Sequence, residues 1–418
     1  MVGRRSRRGF RRPAASYGGT SSYAKARPPP PCPWRENSSR CGGQDLSLQG
    51  KAMTSTPSQA LRDMRILRLR QALSSGQPIR LQILSPSDAE KDRYVRLQWS
   101  DYWIQYELIK ALGQLPNLYL TDYQPHAVLH LFGFPAQLDP RIYTMAWIYG
   151  HPDLLTEMEL ARYDHLFCYS APFQAELQQR GFASDRMIGA TGKLPHPLTE
   201  TRHPLTFVGN ARARGSRPAV EALLQSGEEF RLWGKGWERH VPSRNLAGGY
   251  FDYGRLDELY AGSEFVMNDH HPDMARWGFV SFRLFDALAS GGFVVSDRNC
   301  GIEGIFGDTV PQFSDAAELK DILTYYRAHP EEKERLRITG MRIALSHCWE
   351  IRALQVWRHL MRVANPEWKE DLKSAERILR PRREAVLQRL QQRAELGALD
   401  LDLNELLSLE AEPAVPSA

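Results

Sequence analysis

The sequence predicts an α/β protein built of two parallel-sheet halves. Short apolar runs of strand length alternate with longer helical patterns over residues 79–365, and that alternation builds crossover units rather than hairpins. Most runs end in a glycine or a polar loop that leads into the next helix. A stretch with three prolines, residues 193–204, separates the two halves as a linker.

The chain has 418 residues, 42% of them hydrophobic, enough for two domains with buried cores. No apolar run reaches membrane-spanning length. Five scattered cysteines, with no Cys-x-x-Cys pair, fit a reducing cytoplasm. The net charge of +5 is concentrated at one end: residues 1–51 hold eleven Lys and Arg against Glu36 and Asp45, so the rest carries −4. A nucleic-acid partner would therefore rest on this arm alone. Residues 1–60, rich in Arg, Pro, Ser and Gly, read as a disordered basic arm. A transit peptide and a true start at Met53 or Met64 are the other readings, and no apolar stretch follows Arg4-Arg5 as a secretion signal requires.

In the first half, residues 79–84 alternate as a strand and end at a Ser-Pro-Ser loop. Residues 99–112 form a helix, and residues 127–132 a buried strand closed by Gly133. Residues 143–149 make another strand, running into Gly150 and His151. His151 at a strand's carboxyl end can orient a hydroxyl or meet a phosphate, or it can be a loop histidine held by local hydrogen bonds. A strand over 163–169 leads to Ser170 as a helix cap with Pro172 in the first turn, the helix closing at Gly181.

The second half opens with strand 205–208, then Gly209, Asn210 and a basic loop of Arg212, Arg214 and Arg217 before Pro218 starts a helix. Strand, glycine, cations and helix amino terminus together make an anion site, or else a solvated arginine cluster. Strand 230–233 runs into Gly234, Lys235, Gly236 and Trp237. Around residues 265–297 the chain reads strand, polar loop, helix, strand: 265–267, then 268–273, then an apolar helix face from Phe279 to Ala289 with Arg283 and Asp286 within it. Gly291-Gly292 and strand 293–295 follow. Ligands of such units sit at the strands' carboxyl ends, where Arg283 would add a fixed cation; a simple Arg283–Asp286 pair is the other reading. Asp269 to Asp273, with two histidines, lacks the spacing of a metal site, and no metal ligands are expected.

The run Arg283-Leu-Phe-Asp286-Ala-Leu-Ala-Ser-Gly-Gly resembles the donor-site helix of GT-B glycosyltransferases, especially the CgeB-like group, which reads R-x-F-E-A-L-A-x-G-G. The resemblance covers residues 79–365 and is most specific over 205–305. It implies two Rossmann-like domains facing a cleft: an acceptor domain over 79–195 and a donor domain over 205–365 that binds a nucleotide-diphosphate sugar. On that likeness Gly209, Asn210 and Arg212 form the diphosphate loop. Gly234, Lys235 and Trp237 belong to a G-x-G-W turn at the donor, and Phe279, Arg283 and Asp286 to the donor helix. Asn268 and His271 contact the sugar or acceptor, Glu303 approaches the ribose, and His151 and Asp286 serve the chemistry. Related retaining enzymes carry a Glu-x7-Glu motif here; its second Glu falls on Asp286 and its first on Gly278.

The expected protein is thus a cytoplasmic, metal-independent glycosyltransferase of hexosyltransferase type. It needs no cofactor beyond its donor, and its acceptor is a glycan, protein or small molecule. A GT-B protein that binds nucleotide sugar or glycan without turnover, and a nucleic-acid binder acting through the arm, are the alternatives. Residues 366–418 form a charged helical tail, broken at Pro381 and Gly397, with its leucines thinly spread.

Overall fold

The computed structural model describes residues 59–197, 200–212 and 217–392. The basic arm to residue 58, Arg214 and the tail beyond residue 392 lie outside them. Two six-stranded parallel sheets form the body. The first contains β1 (Ile79–Leu84), β2 (Leu118–Leu120), β3 (Ala127–Phe132), β4 (Tyr143–Ile148), β5 (His165–Cys168) and β6 (Ser184–Arg186), in the order β2-β1-β3-β4-β5-β6. The second contains β7 (His203–Val208), β8 (Arg231–Trp233), β9 (Leu246–Gly248), β10 (Ser263–Asn268), β11 (Val294–Asp297) and β12 (Gln312–Phe313), in the order β12-β11-β10-β7-β8-β9. Strands β3 and β4 are buried at every position, as central parallel strands covered on both faces must be, whereas β1 alternates. Two Rossmann-like sheets across one cleft is the GT-B arrangement.

Each sheet has a point where the strand order reverses: between β1 and β3 in the first, between β7 and β10 in the second. Connections leave such neighbours in opposite directions, so the carboxyl ends there bound an open crevice.

The fold begins earlier than the alternating pattern indicates, with a helix over Gln59–Ser74. Its buried residues are Arg65, Leu69 and Ala72, too few apolar positions to mark an amphipathic helix in sequence. A charge anchors it. Arg65 donates to both carboxylate oxygens of Asp164 at 2.9 and 2.8 Å, and its Nε donates to the Pro140 carbonyl.

At the other end the chain crosses back onto the first half. The helix Trp349–Ala364 packs on the helices Ser100–Leu112 and Gln59–Ser74, with Trp349, Trp357 and Leu360 buried. Trp357 Nε1 donates to the Pro116 carbonyl at 2.9 Å. A last helix, Leu372–Gln391, runs through Pro381 without the expected break. Ala375, Ile378, Leu379, Val386 and Leu390 make its buried stripe, and Arg382 donates to the carbonyls of Gly192 and Lys193. Up to Gln391 the tail therefore belongs to the folded body. No helix among the described residues is long and apolar enough to cross a membrane.

Candidate active site

A cavity of about 680 Å³ lies where the carboxyl ends of the two sheets meet, within the size range of ligand sites. From the second half it is lined by the loop after β7 (Gly209 to Arg212), by Gly234 after β8, and by Asp269, His270 and His271 after β10. Ser281 to Arg283, at the start of the helix Phe282–Ala289, complete that wall. The first half contributes Gly133 and Phe134 after β3, Tyr149 to His151 after β4, and Ser100, Asp101 and Trp103 from the start of the helix Ser100–Leu112.

Three guanidinium groups converge on the β7/β10 switch point. Arg217 stands just before Pro218, which opens the helix Pro218–Ser226; its NH2 is 3.0 Å from Asp269 Oδ1 and its NH1 donates to the Asn210 carbonyl. Arg212 NH2 lies 3.9 Å from the same Asp269 oxygen, and its Nε and NH2 are buried without a hydrogen-bond partner. Arg283 donates to Asn268 Oδ1 at 2.8 Å, and its guanidinium, like that of Arg217, sits 5.0 Å from the Phe207 ring. Burial pushes the Arg217 guanidinium down to about 10; Arg283 and Arg212 push the same way and Asp269 opposes them. Three guanidinium groups thus stand against the one carboxylate of Asp269. The three arginines line the cavity, and their surplus charge calls for an anion.

Glycines make room for this cluster. A Cβ on Gly209 would run into Arg217, and one on Gly234 would strike the Gly209 carbonyl. That carbonyl accepts from Trp237 Nε1 at 2.7 Å, so Trp237 is a buried brace under the loop rather than a stacking surface. Asn210 Oδ1 accepts from the Lys235 backbone at 2.9 Å and ties the β7 and β8 loops together.

On the first-half wall Tyr149 donates to Asp101 Oδ1. Burial, reinforced by the Asp101 charge, holds the phenol far above its ordinary range, so it keeps its proton and remains the donor. His151 takes a left-handed backbone with φ of 50°. Its ring lies 5.3 Å from that of His271 and 5.7 Å from that of Phe134, and its Nδ1 is 3.8 Å from Asp273. Burial and then Arg212 push His271 down to about 4, leaving it neutral at pH 7. His270 points away, with Nδ1 2.6 Å from Asp297 Oδ1.

Asp286 reaches the cavity wall, yet its Oδ1 accepts from Thr191 Oγ1 at 2.6 Å. Burial, opposed by Lys193 and Thr191 and aided by Glu107, pushes it up to about 6. A carboxyl raised in the folded state favours folding below its unfolded pKa and loses that contribution as pH rises through the folded value. Asp286→Asn is therefore expected to stabilise the protein by on the order of 2 kcal/mol at pH 8 and by little at pH 4. Thermal melts at the two pH values check this; an equal change at both would refute it.

Of the residues singled out in sequence, Gly209, Asn210, Arg212, Gly234, His271, Arg283, Asp286 and His151 line one cavity. Others do not. Asn268 is fully buried and holds Arg283 in place while donating to Ser296 Oγ, so it positions a cation instead of touching a sugar. Phe279 precedes the helix Phe282–Ala289 and is core, packed on Phe173 and Tyr169. Lys235 is exposed and outside the lining. Glu303, expected near the ribose, is exposed on a helix, Cys300–Phe306, capped by Asn299, and it too stands clear of the cavity. Gly278 caps the helix Pro272–Trp277 with φ of 74°, a conformation that a Glu at that place would strain. Sequence reasoning gave no site role to Asp101 or Asp269, whereas it placed Arg217 in the basic loop of the anion site, next to the helix-opening Pro218.

Residues 212–358 match the family model described as glycosyl transferase-like. No curated protein matches the sequence. Among solved structures, T4 phage β-glucosyltransferase in complex with UDP-glucose is similar at 10% identity and a TM-score of 0.47, over 68% of this chain and 99% of that one. Sucrose-phosphate synthase from Thermosynechococcus elongatus gives 12% and 0.46, over 72% and 93%. A glycosyltransferase of avilamycin A biosynthesis gives 14% and 0.46, over 70% and 100%. Residues 212–358 are thus similar to a glycosyl transferase-like domain, and they lie within the two-sheet GT-B arrangement.

Proposed function

We propose that the protein is a glycosyltransferase that binds a nucleoside-diphosphate sugar against its second half and a hydroxyl-bearing acceptor against its first. The observation that carries this reading is the convergence of Arg212, Arg217 and Arg283 on the β7/β10 switch point, facing the cavity with one carboxylate among them. A diphosphate supplies the missing negative charge there. The same cations stabilise the charge that builds on the departing diphosphate as its bond to the anomeric carbon breaks.

Asp101 is the carboxylate that the first half offers to the cavity among the described residues. In this reading it takes the acceptor's hydroxyl proton while the acceptor oxygen forms the new bond to the anomeric carbon. The electron pair of the broken bond leaves with the diphosphate. His151 and His271, one from each half, close the site between donor and acceptor.

Binding of UDP, GDP, ADP, dTDP and CMP, followed by their sugar conjugates, tests the donor assignment. One nucleotide is expected to stand out by thermal shift and calorimetry, and Arg283→Ala to weaken it about 10- to 100-fold through loss of a charge-assisted contact. Equal affinity in the variant would refute the site. Tight binding of a sugar conjugate without any turnover would instead support a non-catalytic binder.

A further inference from the structure

On the first sheet, at the end away from the cleft, three side chains with metal-ligand chemistry come together. His165 opens β5, Asp185 lies on β6, and His359 comes from the crossing helix Trp349–Ala364. Each offers a ligand atom, and these atoms all lie within 4.8 Å of one another. His165 Nε2 is 3.2 Å from Asp185 Oδ2. That nitrogen is nevertheless buried without a hydrogen bond of acceptable angle. Two ligands on a tetrahedral ion with bonds of about 2.0 Å stand about 3.3 Å apart, each aimed at the ion and not at the other.

The surroundings of His359 fit the same purpose. The Tyr143 hydroxyl is 2.9 Å from its Nε2, which accounts for one ring nitrogen and leaves Nδ1 for an ion, as outer partners of metal-bound histidines do. Two imidazoles and one carboxylate are a donor set that favours an ion bonding well to imidazole.

We propose that His165, Asp185 and His359 form a site for a zinc-class divalent ion that clips the crossing helix to the edge of the first sheet. The imidazole rings now stack at 3.7 Å, and loading turns one of them so that both meet the ion edge-on. The ion's role is structural, because His165 sits at the start of its strand and the cavity at the strands' other ends. The proposal is independent of the glycosyltransferase reading.

The full chain, stripped with a chelator, is titrated with Zn²⁺ and Mg²⁺ by thermal shift, and with Co²⁺ by visible absorption. Zn²⁺ is expected to raise the melting temperature where Mg²⁺ does not, and Co²⁺ to give the intense bands of a low-coordinate N/O site. Asp185→Asn alters a side chain that is 67% exposed, so it is expected to fold normally and to bind at least tenfold more weakly. His359→Gln is the second variant. No shift with Zn²⁺, or the same shift in the wild type and Asp185→Asn, would overturn the proposal.

Discussion

Asp101→Asn is expected to lower turnover about 100- to 10,000-fold, the range over which a positioned general base contributes, and to leave nucleoside-diphosphate affinity unchanged. The substitution keeps size and an acceptor oxygen for the Tyr149 hydroxyl, which stays protonated at any working pH. Only the capacity to take a proton is lost. Asp101 sits in the first turn of the helix Ser100–Leu112, on the wall opposite the arginines, so its charge does not meet the diphosphate directly. Release of nucleoside diphosphate from the donor conjugate chosen by the binding panel gives kcat, and calorimetry on the same samples gives affinity. Wild-type turnover in Asp101→Asn would pass the base to His151, which also borders the cavity. Loss of affinity in parallel with turnover would mean that Asp101 shapes the donor site and takes no proton.

The parts of the fold that read correctly from sequence are those whose signal is local. Strands β3 and β4 are apolar at nearly every position, and residues 205–208 followed by Gly209 announce a parallel strand ending at a ligand loop. The helix Gln59–Ser74 was not legible because a buried ion pair over 99 residues, Arg65 with Asp164, replaces an apolar stripe. The last helix hid its stripe behind Pro381 and Arg382, whose cation spans to linker carbonyls. For the site, residue type at a strand end or in a helix's first turn was enough to pick out Gly209, His151 and Arg283 as residues of the cavity wall. It was not enough to tell which side chains face the cavity and which stand behind it. Asn268, Trp237 and Phe279 are all one residue class or one turn away from the lining, and they act by holding Arg283, the Gly209 carbonyl and the core. Conversely, Asp101 and Asp269 are ordinary aspartates in sequence, and only the folding of each half brings them their partners, Tyr149 for the one and Arg212 and Arg217 for the other.

Asp269→Asn separates the anion-site reading from a purely structural arginine cluster. The Asp269 side chain is fully buried and pairs with Arg217 at 3.0 Å, with Arg212 nearby at 3.9 Å. Removing one partner of a buried pair leaves the others without counter-charge, and the ligand-free protein is expected to lose about 3 kcal/mol, the low end for such pairs because the amide retains an acceptor. The bound state behaves differently. A diphosphate brings its own negative charge to the same guanidinium groups, and in the wild type it must share them with a carboxylate that repels it. The variant should therefore melt lower than the wild type without ligand and gain more from the preferred nucleoside diphosphate, narrowing the gap between the two proteins as ligand is added. Melting curves across a ligand titration read both quantities on one sample. If ligand raises the two melting temperatures equally, Asp269 does not feel the diphosphate, the phosphate groups bind elsewhere in the cavity, and the arginines at the β7/β10 switch point hold the fold and not the donor.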